Sequence, residues 1–467
     1  MNDVRKNIRR VFWMLFTMFA VAVLYLLSFI LVQSNDIINS SLNPRVRISR
    51  GNVKRGDILD RNGLIIAESI PTENGYQRIY NFDNMFSHVV GFIDMGNSGI
   101  EERYNFELQN LSLEIYQRLR NIAEDVHLQG DNLVLTLDGD LQKFIYNALG
   151  RNRGSIVVIE PTTGEILAMA SYPNFNPNEI NANWSSLSQD AENSPLLNRA
   201  TQGLYAPGSV FKIVTSVAGM KHLENFDDFI HECTGSIYIE GNIIRCYNNT
   251  AHGRVDMVEA FSVSCNTYFV ALAEAIGMQN LINVAESLYF NELIPFRLAN
   301  SISRIDDQND DISELMQASI GQGRVLATPM HMAMLAGAIA NDGVMMRPHV
   351  VGYAVTAQGM VRNLNSPRAL SRVFTSEENS KLYSMMLQAV STGTGVAAAV
   401  PGVRIGGKTG TAENNQGEAH GWFVAFATDG LDEESQIALV VMLENAGNAS
   451  GAVRIARDII NFSMRSS

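Results

Sequence analysis

The strongest hydrophobic feature of the chain is an uncharged run from Val11 to Gln33, VFWMLFTMFAVAVLYLLSFILVQ. As a helix it would be about 35 Å long at ~1.5 Å per residue, enough to cross a hydrocarbon core of ~30 Å. Arg5, Lys6, Arg9 and Arg10 precede it, and the first charge after it is Asp36. That asymmetry predicts a cytoplasmic tail over residues 1–10, an anchor over 11–33 and the rest of the chain outside. A cleaved signal peptide would have an apolar core of ~7–15 residues and a small-x-small site. The run has neither, so a retained single-pass anchor is expected. A later apolar run, Ile437 to Leu443, lies between Glu433–Glu434 and Glu444 and reads as a buried strand.

Past the anchor the pattern changes twice. Residues 34–150 are mixed and polar and read as a small α+β pedestal. Within them Arg55 to Gly63 is a strand ending in a turn, with Asn62-Gly63 supplying the positive φ angles, and a Gly-rich stretch runs from Gly91 to Tyr104. Residues 151–467 form the larger region. It opens on a hairpin of apolar strands, Gly154 to Ile159 and Glu165 to Ser171, and ends with strand candidates Val403 to Gly407, Gly421 to Ala427 and Ile437 to Leu443. Helical patterns fill the interval, one of them bounded by Thr328 as N-cap, Pro329 at the first position and Gly343 beyond its end. Strands from both ends of the region around a helical insertion predict an α+β fold: an antiparallel sheet covered by helices on both faces. Internal repeats and low-complexity tracts are absent from the sequence.

Composition narrows the function classes. With 467 residues, 46% hydrophobic and 18% charged, the chain suits a folded protein with a sizeable core. A net charge of −13 with no offsetting basic stretch argues against nucleic acid. Cys233, Cys246 and Cys265 are the three cysteines, and a chain of this size needs no disulfide framework. Cys233 and Cys246 are placed to pair in an oxidising space, with free thiols as the alternative. His231 and His252 flank them at a spacing that matches no known metal-ligand pattern.

Three short motifs in the larger region carry chemistry. Ser209-Val210-Phe211-Lys212 is S-x-x-K, Ser264-Cys265-Asn266 is S-x-N, and Lys408-Thr409-Gly410 is K-T-G. Each is weak alone; Ser41-Leu42-Asn43 is another S-x-N just past the anchor. Order and context strengthen them. Pro207-Gly208 breaks the chain before Ser209, and the SVFKIVTSVAG that follows is apolar nearly all round, as a buried helix should be. Ser209 and Lys212 then share one face, and a helix N-terminus offers the serine free N–H groups to stabilise an oxyanion. A buried lysine without a carboxylate partner is costly unless it loses its proton and serves as a base, and Lys408 is the natural second cation. Thr411 after the K-T-G leaves two hydroxyls and a lysine on one strand, a grouping suited to a carboxylate.

These motifs, in this order, resemble the signature of penicillin-binding proteins and serine β-lactamases. The surrounding words NRATQGLYAPGSVFKIVTS, HGRVDMVEAFSVSCNTYF, IGQGRVLATPMHMA, KTGTAE and HGWFVAFA are similar to those of class B penicillin-binding proteins. So are RGDILDRNG and SGIEERYN in the pedestal. The resemblance implies a peptidoglycan D,D-transpeptidase, with a dimerisation-like pedestal at 34–150 and a transpeptidase domain at 151–467. It implies Ser209 as nucleophile, Lys212 as its base, Ser264 as proton relay and Asn266 as a hold on the substrate amide. Lys408, Thr409, Gly410 and Thr411 would bind the terminal carboxylate of a stem peptide or a β-lactam, with the N–H groups of Ser209 and Thr411 as oxyanion hole. No cofactor or metal is implied. The implied partners are peptidoglycan stem peptides, β-lactams and a multi-span, lipid-linked glycan polymerase in the membrane. A D,D-carboxypeptidase, a β-lactamase and a non-catalytic scaffold are the alternatives. The β-lactamase would need a water-activating E-x-x-L-N, which Glu286 and Asn291 miss by one position, and a silent scaffold should have lost a motif residue.

Overall fold

A computed structural model describes residues 2–28, 54–73, 75–109, 129–306, 311–414, 417–429 and 436–465. Both ends of the larger region feed one five-stranded sheet. Its order is Val403–Ala412, His420–Asp429, Gln436–Leu443, Gly154–Ile159 and Ile166–Tyr172, with every neighbouring pair antiparallel. These strands are apolar almost throughout because helices cover both faces, so each strand must satisfy two dry layers. Alternate residues go to opposite layers. Trp422, Val424 and Phe426 join the core formed with the helices Lys212–His222, Asn266–Ile276 and Pro329–Ala340. Phe423, Ala425 and Ala427 join the core formed with Gly139–Leu149 and Ser450–Ser463. This is the α+β architecture the hydrophobic pattern predicts.

The helix Pro329–Ala340 starts and stops on the residues that the sequence marks. Thr328 Oγ1 accepts the N–H of His331 at 3.2 Å, Pro329 through Ile339 are all buried, and Gly343 turns the chain at φ +79°.

The N-terminal region departs from its expected plan in three places. Its mixed sheet runs Val361–Asn363, Val351–Val355, Asn132–Leu135, Ile58–Leu59, Ile65–Thr72 and Gly75–Tyr80, so two of six strands come from far along the chain. The helix Gly139–Leu149, by contrast, packs on the larger sheet and against Ser450–Ser463. At the turn after Ile58–Leu59, Gly63 alone takes a positive φ, of 89°. Asn62 does not, because Asp60 Oδ1 accepts the N–H groups of Asn62 and Leu64 at 2.8 and 2.7 Å and closes the turn itself. Beneath this sheet Glu101 is buried between Arg55 and Arg78, at 2.5 and 2.7 Å.

At the N-terminus Asn2–Ser28 is one helix, and an 18-residue window within Arg5–Leu26 has a mean hydropathy of 1.6. Among the described residues it is the one helix long and apolar enough to cross a membrane. Positions 29–33 of the expected anchor lie outside the described residues.

Candidate active site

The segment that carries Ser209 is shaped by backbone that only glycine supplies cheaply. Gly208 has φ +55° and donates its N–H to Gly321 O at 2.9 Å. From there Gly208–Phe211 forms a 3₁₀ turn that runs into the helix Lys212–His222. Residues three apart eclipse in a 3₁₀ turn, so Ser209 stands directly before Lys212 on one face. Ser209 is half-buried on the wall of a cleft of about 1350 Å³, whereas Lys212 is wholly buried.

The S-x-N motif occupies the joint between two helices. Met257–Ser262 opens with a capping box between Asp256 and Glu259, and Asn266–Ile276 follows. Ser264 between them has φ +57°, an uncommon conformation for a residue with a side chain. This joint turns both its carbonyl and its hydroxyl toward Lys212. Lys212 Nζ lies 2.7 Å from Asn266 Oδ1, 2.9 Å from Ser264 O and 3.2 Å from Ser264 Oγ. Lys408, also wholly buried, donates to Ser264 Oγ at 2.9 Å. Asn266 Nδ2 donates to Arg245 O at 2.8 Å, so its amide is engaged at both ends.

The two lysines decide the electrostatics. Burial pushes the Lys212 ammonium down to about 7. Burial and then repulsion by Lys212 push Lys408 well below the ordinary lysine range. Two ammonium groups bonded to one hydroxyl repel, which favours the loss of a proton from the pair. The partners of Lys212 suit a neutral amine: two carbonyl oxygens take its two N–H bonds, leaving a lone pair beside the Ser264 hydroxyl.

Lys408, Thr409, Gly410 and Thr411 lie within the strand Val403–Ala412, at the outer edge of the sheet. Strand alternation buries Lys408 and turns Thr409 and Thr411 to the cleft. Gly410 lets the strand close on the turn before Ser209, since a Cβ there would sit 2.8 Å from Pro207 O. One neighbour escapes sequence reasoning. Thr394, after the helix Ser376–Ser391, lines the cleft with its Oγ1 2.7 Å from Thr409 Oγ1. Its only sequence signal is a hydroxyl between glycines in STGTG, and nothing local ties that to K-T-G.

A second set of residues that the sequence does not single out braces the segment before Ser209. Trp422 Nε1 donates to Ala206 O at 3.0 Å, and Tyr205 Oη donates to Glu444 Oε1 at 2.8 Å. Glu444 is held in turn by Arg199 at 2.7 Å and Arg153 at 3.1 Å. Glu286, the nearest approach to a β-lactamase glutamate, is exposed and accepts from Asn291 at 3.2 Å, and neither lines the cleft.

Residues 154–461 match the family described as penicillin binding protein transpeptidase domain, and residues 55–133 match the penicillin binding protein A dimerisation domain. The chain therefore belongs to the penicillin-binding protein transpeptidase family. It is a class B member, of the penicillin-binding protein 2 kind. It is 29% identical to the peptidoglycan D,D-transpeptidase PbpA of Mycolicibacterium smegmatis over 88% of each chain. To the peptidoglycan D,D-transpeptidase MrdA of Acinetobacter baumannii it is also 29% identical, over 84% of this chain and 66% of that protein. Among solved structures, penicillin-binding protein A of M. tuberculosis as its ceftriaxone acyl-enzyme superposes with a TM-score of 0.82 at 27% identity, covering 90% of this chain and 100% of that one. The D,D-transpeptidase domain of a peptidoglycan glycosyltransferase from Eggerthella lenta gives a TM-score of 0.80 at 31% identity, covering 89% and 99%.

Proposed function

We propose that this chain is a peptidoglycan D,D-transpeptidase working through an acyl-enzyme on Ser209, and that β-lactams acylate the same serine. The observation that carries this reading is the meeting of Lys212 and Lys408 at the Ser264 hydroxyl, in the cleft that Ser209 also lines one turn before Lys212. Ser209 Oγ attacks the carbonyl of the penultimate D-alanine while Lys212 takes its proton. Thr409 and Thr411 receive the terminal carboxylate, and Lys408 adds to the field from beneath the strand. The N–H groups of Ser209 and Thr411 hold the oxyanion. As the C–N bond breaks, Ser264 passes a proton from Lys212 to the departing D-alanine amine, leaving a serine ester. An acceptor amine then attacks that ester, forms the cross-linking amide and returns the proton to Ser209.

The apolar helix Arg5–Leu26, with Arg5, Lys6, Arg9 and Arg10 at its start, supports a single-pass anchor with a cytoplasmic N-terminus and an outer catalytic region. It also makes a membrane-embedded, lipid-linked glycan polymerase the expected partner, met through anchor and pedestal.

Fluorescent penicillin added to the detergent-solubilised full chain tests the catalytic reading. A covalent, slowly hydrolysed label that disappears in Ser209→Ala is the expected result. Absence of label on folded protein, or rapid turnover of it, would sink the assignment. Chromatography of products from a donor pentapeptide and an acceptor amine separates transfer to the amine from hydrolysis to the acid, the carboxypeptidase outcome.

A further inference from the structure

Thr394 lines the cleft without a task in the mechanism, and two hydrogen bonds tie it to the S-x-N and K-T-G sides of the site. Its Oγ1 lies 2.7 Å from Thr409 Oγ1 on the K-T-G strand. Its N–H donates at 3.1 Å to Ser262 O, at the end of the helix Met257–Ser262 and two residues before Ser264. We propose that Thr394 is a positioning residue for the substrate carboxylate: its hydroxyl donates to Thr409 Oγ1 and so aims the Thr409 proton into the cleft. This role rests on the reading of Ser209 as the acylated serine and of Thr409 as a receiver of the carboxylate.

A hydroxyl carries one proton and two acceptor sites. Two hydroxyls 2.7 Å apart share one hydrogen bond, and the choice of donor decides what the cleft meets. When Thr409 donates to Thr394, it shows the cleft only lone pairs, which repel a carboxylate. When Thr394 donates, the Thr409 proton is free to meet a carboxylate oxygen. The donated bond also polarises the receiving hydroxyl, so Thr409 becomes a stronger donor than it is alone. An arriving carboxylate therefore selects the second arrangement. Without the Thr394 hydroxyl, Thr409 loses both the polarisation and the partner that holds its rotor.

The loop that presents Thr394 is seated closely enough to keep this geometry. It follows the helix Ser376–Ser391, and Thr392 N–H donates back into the last turn, to Gln388 O at 2.9 Å. Gly393 passes so near the helix Met257–Ser262 that a Cβ on it would sit 2.4 Å from both Ser262 O and Ser262 Oγ. Gly395 N–H closes the turn on Ala389 O at 2.9 Å.

The bond from Thr394 N–H to Ser262 O uses a carbonyl at a helix end, where the helix itself leaves acceptors open. Ser262, Thr394 and Thr409 thus form one hydrogen-bonded chain that fixes the distance between the S-x-N helix and the carboxylate-facing strand. A serine at position 394 presents the same hydroxyl. A valine keeps the shape of the threonine and removes the donor.

Acylation of the detergent-solubilised full chain by benzylpenicillin and by its uncharged methyl ester, read by competition with fluorescent penicillin, tests the role. Hydrogen bonds to a charged acceptor are the stronger ones, so the acid should feel the loss of Thr394 more than the ester does. Thr394→Val should be acylated by the acid about tenfold more slowly than wild type, with the ester rate changed by less than about twofold. The acid-to-ester ratio is taken on one preparation and is independent of the folded fraction. Thr394→Ser should keep the wild-type ratio within about twofold. In a Thr409→Val background Thr394 has no hydroxyl to orient, and adding Thr394→Val should not change the ratio further. Wild-type protein acylated by neither compound, or by both equally fast, overturns the carboxylate reading and this role with it. A wild-type preference for the acid that survives intact in Thr394→Val overturns the role of Thr394 alone, as does an equal loss from Thr394→Val in both backgrounds.

Discussion

Lys212 carries the sharpest expectation at the scale of single residues. Its amine must be neutral to take the proton of Ser209, and burial lowers it to about 7. Below that value it is protonated and idle; above it the base is free. Acylation by penicillin, followed by stopped flow, should therefore rise with pH through about 7 and then level off. A rate independent of pH between 5 and 9 would remove Lys212 from the role of base. Lys212→Arg keeps the charge but cannot release it near neutrality, so acylation should fall by ~10²–10⁴-fold. Both lysines and Ser264 are legible in the sequence as motif members. That Lys408 sits under the strand rather than on the cleft wall is not. Strand alternation in the folded sheet decides it.

At the scale of elements, the site depends on how closely a strand and a turn approach. Gly410 faces Pro207 O and Gly208 faces Thr411 O, each at a distance where a Cβ collides with backbone. Gly410→Ala should push the strand edge off the nucleophile turn. A displacement of that order costs about 10²-fold in acylation, because reacting groups tolerate little misplacement. The melting temperature should move little, since the strand keeps its long pairing with His420–Asp429. An unchanged acylation rate in this variant would mean that the strand edge and the turn need not touch. The sequence marks the K-T-G and the Pro-Gly break as separate local signals. Their contact spans about 200 positions and exists only once the sheet is assembled.

At the scale of the whole molecule, one core runs through both regions. Ile58, Tyr104 and Leu133 from the N-terminal sheet belong to the same buried cluster as Val157, Phe211 and Met442. Glu101 at its margin is wholly buried between two guanidinium groups, so Glu101→Ala would leave Arg55 and Arg78 buried without their partner. Breaking such a pair costs ~3–5 kcal/mol. Because the core is shared, tryptophan fluorescence from Trp422, deep in the larger sheet, should report the same lowered transition as circular dichroism. Two separate transitions would instead mark the N-terminal sheet as an independent unit.

Local chemistry was enough to fix the kinds of element and to single out the motif residues that meet in the candidate site. An uncharged run specifies a long apolar helix, alternation and apolar runs specify strands, and Thr328-Pro329 specifies a helix start, because each depends on neighbours within a few positions. Which elements share a layer was decided only by the tertiary structure. Strands 351–363 join the N-terminal sheet, helix 139–149 joins the larger one, Thr394 reaches Thr409, and three cysteines and His252 converge behind Ser264. Each of these pairings is chosen by where buried area and backbone hydrogen bonds are satisfied together, which depends on the assembled chain and not on any short stretch of it.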